Sequence, residues 1–367
     1  MRRVLILCNS SGGLYDFRND LPLRLLSRGD EVIVSVPDDV RAGELAGEGC
    51  TVIHTDIDRR GTNPLRDLSL IRAYDRLMVT YRPDIILTYT IKPNVYGGWC
   101  AARRHIPYIA TVTGLGSAFR REGMVRRLIV TMYRMGLKKA SCVFFQNEAN
   151  RDIFGEYGIL RGGIRNRVVS GSGVDLEHHT PAPYPGHSDD IVRFLYVGRL
   201  MREKGTMEYI AAARRLHELY GDRVSVCAIG YSDEDMGGEP ERAVSEGCLR
   251  LIPFDKEIRP YYHEADVVVM PSYHEGMSNV LMEAAATARP VIGSDIPGCR
   301  ELIEDGVTGL LCKPGDSESL IRAMCRMMDM SADSRRLMGE AGRARMERLF
   351  DRRAVIDAYM DELARLC

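Results

Sequence analysis

Arg199 and Lys204 stand five residues apart in Val197-Gly198-Arg199-Leu200-Met201-Arg202-Glu203-Lys204-Gly205, where a β-branched run gives way to a loop and then a helix. Two cations so spaced at a strand's carboxyl end suit a diphosphate, because the guanidinium fork clamps oxygens while the ammonium adds a compact charge. Taken alone, the pair fits two surface cations equally well. A second constellation runs Pro271-Ser272-Tyr273-His274-Glu275-Gly276-Met277-Ser278-Asn279-Val280-Leu281-Met282-Glu283-Ala284-Ala285-Ala286, after the apolar run Val267 to Met270. Ser278 or Asn279 is placed to cap a helix there, which leaves Glu275 in the loop and Glu283 in the helix's early turns. Eight residues apart on one helix, two carboxylates would be about 80° out of line. The expectation is therefore that they grip different parts of one elongated ligand. Gly276, Met277, Ser278, Asn279 and Val280 would meet its charged group with backbone N–H.

A third element, Asn9-Ser10-Ser11-Gly12-Gly13-Leu14, follows the first apolar run, Val4 to Leu7. Gly12 and Gly13 there permit close approach of backbone to an anion or sugar, with a helix N-terminus behind them. An ordinary tight turn is the plainer reading. The spacing is not Gly-x-Gly-x-x-Gly, and the second run ends in Pro37-Asp38 and not in a well-placed acid, so a nicotinamide enzyme is a poor fit.

These groups need a scaffold. Short runs (Val4 to Leu7, Val32 to Val36, Val52 to His54, Ile85 to Thr88, Tyr108 to Val112, Cys142 to Phe145, Arg167 to Val169) alternate with helical periodicity such as Phe17 to Arg28 and Leu65 to Tyr81. Leu176 to Asp190, rich in Pro, His and Asp, has no periodicity and reads as a linker. The alternation then restarts with strands Val192 to Val197, Val224 to Ile229, Leu249 to Ile252, Val267 to Met270, Val291 to Gly293 and Gly309 to Cys312. Helices Met207 to Tyr220, Val280 to Ala288 and Ser317 to Met330 lie between, and a charged helical tail breaks near Phe350-Asp351. Apolar strands separated by helices mean parallel sheets covered on both faces. The chain is expected to be α/β with two Rossmann-like, doubly wound domains facing across a deep cleft. The boundaries are 1–175, completed by a helix over 350–367, then 176–190 as linker and 191–349.

The element Glu275-x7-Glu283 within Glu-Gly-Met-Ser-Asn-Val-Leu-Met-Glu-Ala resembles that of retaining family 4 glycosyltransferases of the GT-B fold. Gly198-Arg199-Leu200 through Lys204-Gly205 is similar too, as is Arg289-Pro290-Val291-Ile292 through Asp295-Ile296-Pro297-Gly298. The resemblance implies a nucleotide-sugar donor, a UDP-sugar before others. Arg199 and Lys204 would hold its diphosphate and absorb the charge of the leaving group, Glu275 would bond sugar hydroxyls, and Glu283 the ribose. Gly12 and Gly13 would approach the phosphates. It also implies front-face attack, with domain closure excluding water. Relatives often carry His where this chain has Thr113 in Thr111-Val112-Thr113-Gly114-Leu115-Gly116. Thr113 is not a general base at neutral pH, so the proton passes to the donor phosphate or to Asp16, His105 or His274. Asp16, Thr113, Gly114, Arg120 and Arg121 are the expected acceptor contacts. The phrases also resemble bacterial surface-glycan enzymes, which implies a polyprenyl-diphosphate-linked saccharide acceptor.

Composition bounds the rest. The 367 residues are 45% hydrophobic and 28% charged, ordinary for a globular chain. Net charge is -1, yet residues 1–175 carry 26 Lys+Arg against 18 Asp+Glu, and the remainder is acidic. Arg120 to Ala140 alone holds seven cations and one Glu. Val125, Leu128, Ile129 and Met132 form an apolar stripe, with Arg127, Arg134 and Lys138 on another face, as in a helix that packs on the sheet or meets an anionic membrane surface. The expected location is cytoplasmic, peripheral to the inner leaflet, with no spanning segment. No two of the ten Cys are closer than 13 residues, and no His or carboxylate set points to a required metal or cofactor. Asp56-Ile57-Asp58 imitates a metal motif of another fold and is read as a loop. Nucleic acid is not an expected partner, since the basic residues lack interleaved aromatics.

Overall fold

The computed structural model describes residues 1–58, 61, 63–115, 119, 123–160, 162–185 and 190–366. The chain divides into two compact units, Met1–Ser172 with Arg353–Cys367, and Gly173–Arg352.

In the first unit β1 (Arg3–Leu7), β2 (Glu31–Val36), β3 (Thr51–His54), β4 (Ile85–Tyr89), β5 (Tyr108–Val112), β6 (Cys142–Phe145) and β7 (Asn166–Val168) form a parallel sheet ordered β3-β2-β1-β4-β5-β6-β7. Successive side chains of β1 point to opposite faces, so both faces must be covered. Val4 and Ile6 join a core with Leu14, Leu21 and Tyr359, whereas Leu5 and Leu7 join one with Tyr74, Tyr108 and Phe145. The covering helices are α1 (Ser11–Arg18), α2 (Asp20–Ser27), α3 (Ala42–Gly47), α4 (Pro64–Tyr81), α5 (Gly98–Arg104), α6 (Met124–Leu137) and α7 (Glu148–Glu156). The sequence predicts one helix over Phe17 to Arg28, but the structure has two, meeting at Asn19. Pro22 is the reason: it has no N–H to donate and is tolerated only in a first turn, so the helix restarts just ahead of it.

In the second unit β8 (Val192–Val197), β9 (Val224–Ile229), β10 (Arg250–Ile252), β11 (Val267–Met270), β12 (Val291–Ser294) and β13 (Gly309–Cys312) make a parallel sheet ordered β10-β9-β8-β11-β12-β13. Its helices are α8 (Thr206–Tyr220), α9 (Glu239–Ser245), α10 (Arg259–Glu264), α11 (Asn279–Ala286), α12 (Ser317–Asp329) and α13 (Ala332–Leu349). The Pro-rich stretch after Leu176 is tied down. His179 is buried, and the carbonyls of Ala182 and Pro183 accept from the fully buried Arg289 guanidinium at 3.1 and 2.8 Å. Arg289, part of the resemblance motif, therefore acts as a structural clasp, and burial lowers its pKa to about 10.

The final helix α14 (Arg352–Arg365) returns to the first unit. Tyr359 stacks on Phe144 at 4.3 Å and its hydroxyl meets Thr111 Oγ1 at 2.6 Å. Glu362, 2% exposed, is held by Arg165 at 2.8 Å and Arg167 at 3.2 Å, so the charge is matched where it is buried.

Candidate functional site

In both sheets the strand order reverses once, between β1 and β4 and between β8 and β11. Ligands of open parallel sheets bind beyond the carboxyl ends at that point. The Arg199–Lys204 loop leaves β8 and the Glu275 loop leaves β11, and these strands are paired neighbours. Topology therefore brings together two segments about 70 residues apart in sequence, at the position where a ligand is expected.

Lys204 Nζ lies 2.6 Å from Glu275 Oε1, and Ser272 Oγ donates to the same oxygen at 2.8 Å. The two charged side chains are 23% and 13% exposed, so each is largely desolvated but reachable. Two glycines make the approach possible. Gly205 has φ of 73° and a Cβ there would collide with the Pro271 carbonyl. Gly298 has φ of 87°, and its Cβ would stand 2.7 Å from Gly276 O and 2.9 Å from Glu275 O. Both positions demand glycine on two counts. The Tyr273 N–H donates to Glu203 O at 2.9 Å and ties one loop to the other.

Arg199 takes a different partner. Its guanidinium pairs with Asp233, beyond β9, while its carbonyl accepts from Tyr196 OH at 2.9 Å. Glu283 accepts from Tyr262 OH at 2.9 Å. Burial, and then the Glu283 charge, push the Tyr262 phenol well above its ordinary value, which keeps it a proton donor. Asp233, Ser272 and Tyr262 are therefore parts of the site that sequence reading missed. Asp233 and Tyr262 come from another loop and helix, so no spacing marks them, whereas Ser272 stands three residues before Glu275 in the same loop and carries no signal beyond its nearness.

Other expected donor contacts are modified by the geometry. Ser278 caps α11, its side chain accepting from Leu281 N at 3.4 Å, and its own N–H already donates to Gly298 O at 2.9 Å. Met277 is buried in the hydrophobic core of the second unit, so its side chain serves packing and not a ligand. Asn279 and Val280 open α11, at positions whose N–H groups a helix does not itself satisfy. Gly276 is half-buried ahead of them.

In the first unit Gly12 and Gly13 lie within the first turn of α1 and not in a loop before it, because Ser10 is the N-cap and bonds Gly13 N at 3.2 Å. Asp38 fills that N-terminus as well, its Oδ1 accepting from Ser11 N at 3.0 Å. The anion-binding capacity assigned to this turn is thus partly used by the chain's own groups. Asp16 accepts from Arg41 Nε at 3.1 Å. Thr113 and Gly114 follow β5, and Gly114 has φ of 149°. The Gln146 carboxamide, oriented with its nitrogen toward Thr113 O (3.0 Å), accepts from Arg18 Nη2 at 3.1 Å. Arg18 also donates to Gly13 O at 3.0 Å and lies over the Tyr89 ring, so it joins the turn after β1 to the loop after β5. Neither Arg18 nor Gln146 stands out in the sequence. Arg120 and Arg121 lie outside the described residues. His105 is exposed at the end of α5 with φ of 57°, and His274 sits 3.5 Å from Glu203.

Helix α6 divides its apolar stripe, with Ile129 and Met132 packed against the core of the first unit. Val130, Tyr133, Gly136 and Leu137 are buried, while Val125 and Leu128 of the apolar stripe are 41% and 60% exposed. Gly136 sets this rotation: a Cβ there would lie 2.5 Å from Val95 Cα, and its carbonyl accepts from Tyr108 OH at 2.7 Å. Arg127 and Lys138 are exposed. Arg134 is half-buried and donates to the carbonyls of Tyr157 and Gly158 at the end of α7, so it is a packing cation more than a membrane contact. Asp56 and Asp58 lie in the loop after β3 and bond His54, Gly61 and Arg66. Among the described residues there is no disulfide, no group of three or more His, Cys, Asp or Glu suited to a metal, and no helix long and apolar enough to cross a membrane.

Comparison with known proteins decides the family. Residues 192–330 match the model described as glycosyl transferases group 1, and residues 19–170 match a glycosyl transferase 4-like domain. The fold is similar over the whole chain to sucrose-phosphate synthase from Thermosynechococcus elongatus (TM-score 0.81, 20% identity, 100% of this chain and 98% of that one). It is similar also to Anabaena HepE in complex with UDP-glucose (TM-score 0.79, 20% identity, 99% and 100%). The chain is a GT-B glycosyltransferase related to the family 4-like group. Such glycosyltransferases transfer sugar units from nucleotide-sugar donors. This glycosyltransferase is 25% identical over 342 residues, 89% of either chain, to the N,N'-diacetylbacillosaminyl-diphospho-undecaprenol alpha-1,3-N-acetylgalactosaminyltransferase of Campylobacter jejuni. The loops of its second sheet carry the Lys204–Glu275 pair, and the first sheet's carboxyl ends carry Arg18, Gln146 and the Thr113 loop.

Proposed function

We propose that this glycosyltransferase moves a hexose or N-acetylhexosamine, with retention, from a UDP-sugar to a polyprenyl-diphosphate-linked saccharide during surface polysaccharide or glycoprotein glycan assembly. The observation that carries the reading is the contact between Lys204 and Glu275 at the β8/β11 reversal. One pole of that pair suits the diphosphate and the other the hydroxyls of the sugar attached to it. Arg199 adds a second cation to the phosphates, and the opening turn of α11 presents N–H groups to them. Glu283, oriented by Tyr262, takes the ribose hydroxyls.

Cleavage of the C1–O bond leaves positive character on the sugar and negative charge on the departing diphosphate. Cations and N–H groups aimed at that charge lower the barrier. The acceptor oxygen forms its bond to C1 on the face the diphosphate leaves, and its proton passes to the departing phosphate oxygen. Thr113 takes no proton in this scheme. The acceptor class is supported by the similarity to the undecaprenol-linked transferase of Campylobacter jejuni. A place on the cytoplasmic face of the membrane is supported by α6, where Met124, Val125, Leu128 and Met135 are exposed beside Arg127 and Lys138.

The test is a panel of UDP- and GDP-sugars offered with a polyprenyl-diphosphate saccharide, product mass being read by mass spectrometry. A mass gain of one hexose or N-acetylhexosamine from a UDP donor is expected. Donor turnover at full rate without acceptor would replace the reading with a nucleotide-sugar hydrolase or epimerase, and binding without turnover would leave a ligand-binding module.

A further inference from the structure

The face of α6 turned toward the end of α7 carries a cavity of about 520 Å3, lined by Arg126, Arg127, Val130, Thr131, Arg134 and Tyr157 together with Gly123. Positions 123, 126/127, 130/131 and 134 recur at helical spacing, so one face of one helix supplies nearly the whole wall. Three guanidiniums share this cavity, and among the described residues that line it there is no carboxylate. Arg134 is fixed in the wall by the carbonyls of Tyr157 and Gly158, which also offsets the negative end of α7. The Arg126 guanidinium lies over the Tyr157 ring at 5.6 Å. Thr131 Oγ1 donates its proton to Arg127 O at 2.8 Å, so the guanidiniums are the donors this wall offers. A guanidinium cluster in a concave site matches the oxygen-rich, doubly charged end of a phosphate monoester or diphosphate.

The same helix exposes Met124, Val125, Leu128 and Met135, with Met124 85% exposed. Such a ridge is unfavourable in water and favourable in the acyl boundary of a bilayer. We propose that the α6–α7 cavity is a receptor for a terminal phosphate borne on a lipid, seated as the ridge enters the membrane surface. The inference deepens the membrane reading above and rests on it. A field of scattered cations would respond to surface charge alone. A built cavity selects a monoester or diphosphate, whose extra oxygen and charge engage more than one guanidinium.

The experiment is co-sedimentation of the full chain with phosphatidylcholine vesicles containing either phosphatidic acid or phosphatidylglycerol, matched in surface charge, with UDP saturating so that the donor loops do not bind phosphate. Tighter binding to phosphatidic acid by about tenfold is expected, the range of one or two charge-assisted hydrogen bonds. Arg126→Ala with Arg127→Ala should erase that preference, whereas Lys138→Ala, outside the cavity, should weaken both vesicle types and preserve their ratio. A second arm titrates dihexanoyl phosphatidic acid monomers, and separately inorganic pyrophosphate, by calorimetry. Binding of the short-chain lipid alone supports the lipid source. Equal binding of pyrophosphate supports a phosphate site but overturns its lipid assignment. Equal affinity for the two vesicle types, or an unchanged preference in the double variant, overturns the cavity's role. Failure of the wild-type chain to bind any anionic vesicle would sink the membrane reading, while the monomer titration would still test the cavity.

Discussion

Lys204→Met deletes an ammonium and keeps most of the side chain's apolar stem, so it separates the two tasks given to this residue. In the resting chain the change removes one charge-assisted hydrogen bond, the 2.6 Å contact to Glu275 Oε1, and leaves the 2.8 Å bond from Ser272. Hydrogen bonds to charged groups contribute about 1.5–3 kcal/mol. With the side chains 23% and 13% exposed, water recovers part of that. A loss of about 1–2 kcal/mol from the second unit is expected, a few degrees in its melting midpoint. The effect on rate should be far larger. Removing one donor aimed at developing charge costs about 2.7–4 kcal/mol, or roughly 100- to 1000-fold in kcat. Initial rates of nucleotide release, measured across donor concentration, separate kcat from KM, and a thermal melt measures the stability change in the same preparation. Because Lys204 and Glu275 touch, Glu275→Gln combined with Lys204→Met should cost less than the two single changes added. A folded Lys204→Met enzyme with kcat within about threefold of wild type would refute the reasoning and reduce Lys204 to a counter-ion for Glu275.

Gly298→Ala should cost activity without deleting any polar group of the site, since its Cβ at φ of 87° presses on the Gly276 and Glu275 carbonyls and displaces the Glu275 loop; a kinetic assay reads the loss, with circular dichroism confirming that the fold is kept. Burial pushes the His179 pKa down to about 3, with His178, Arg352 and Arg259 adding to the effect and Asp175 opposing it, while Tyr262 packs against the ring. The unfolded chain binds this proton near 6.5, so the contribution is full above that value and falls by about 1.4 kcal/mol per pH unit below it, down to the folded value. Urea unfolding at pH 7 and pH 5 should differ by about 2 kcal/mol from this source, a difference that His179→Gln should flatten. Glu362→Ala leaves Arg165 and Arg167, 47% and 31% exposed, without their shared carboxylate, and should loosen α14 only in part because water takes up those charges; the change is seen as faster amide exchange in residues 353–365 with β1 little changed.

The strands were legible because a strand buried on both faces reads as an uninterrupted apolar run, as at Tyr108–Val112 and Val267–Met270, whose ends agree to the residue. The charged motifs were legible only in combination: Arg199 and Lys204 alone fit two surface cations, and Glu275-x7-Glu283 beside them makes the pattern specific. What the sequence hid was the company each residue keeps. Asp233 meets Arg199 from the segment after β9 and Tyr262 meets Glu283 from α10, which no local periodicity encodes. The sequence leaves the facing of α6 open between the sheet and an interface, because apolar residues ring most of that helix. The decisive side is set by Gly136, a residue that hydrophobic patterning does not weigh. Gly12 and Gly13 read from the sequence as a loop that lets backbone approach a ligand ahead of a helix, yet the Ser10 cap and the Asp38 carboxylate draw them into the helix's first turn.

Glu275 is the side chain through which the β8/β11 site would hold the donor sugar. Measuring UDP release and sugar transfer by wild-type protein and by Glu275→Ala, each with and without a polyprenyl-diphosphate saccharide, tests it in one series. Acceptor-dependent transfer that vanishes in the folded variant is the predicted result. Undiminished transfer by Glu275→Ala would contradict the site at the β8/β11 reversal.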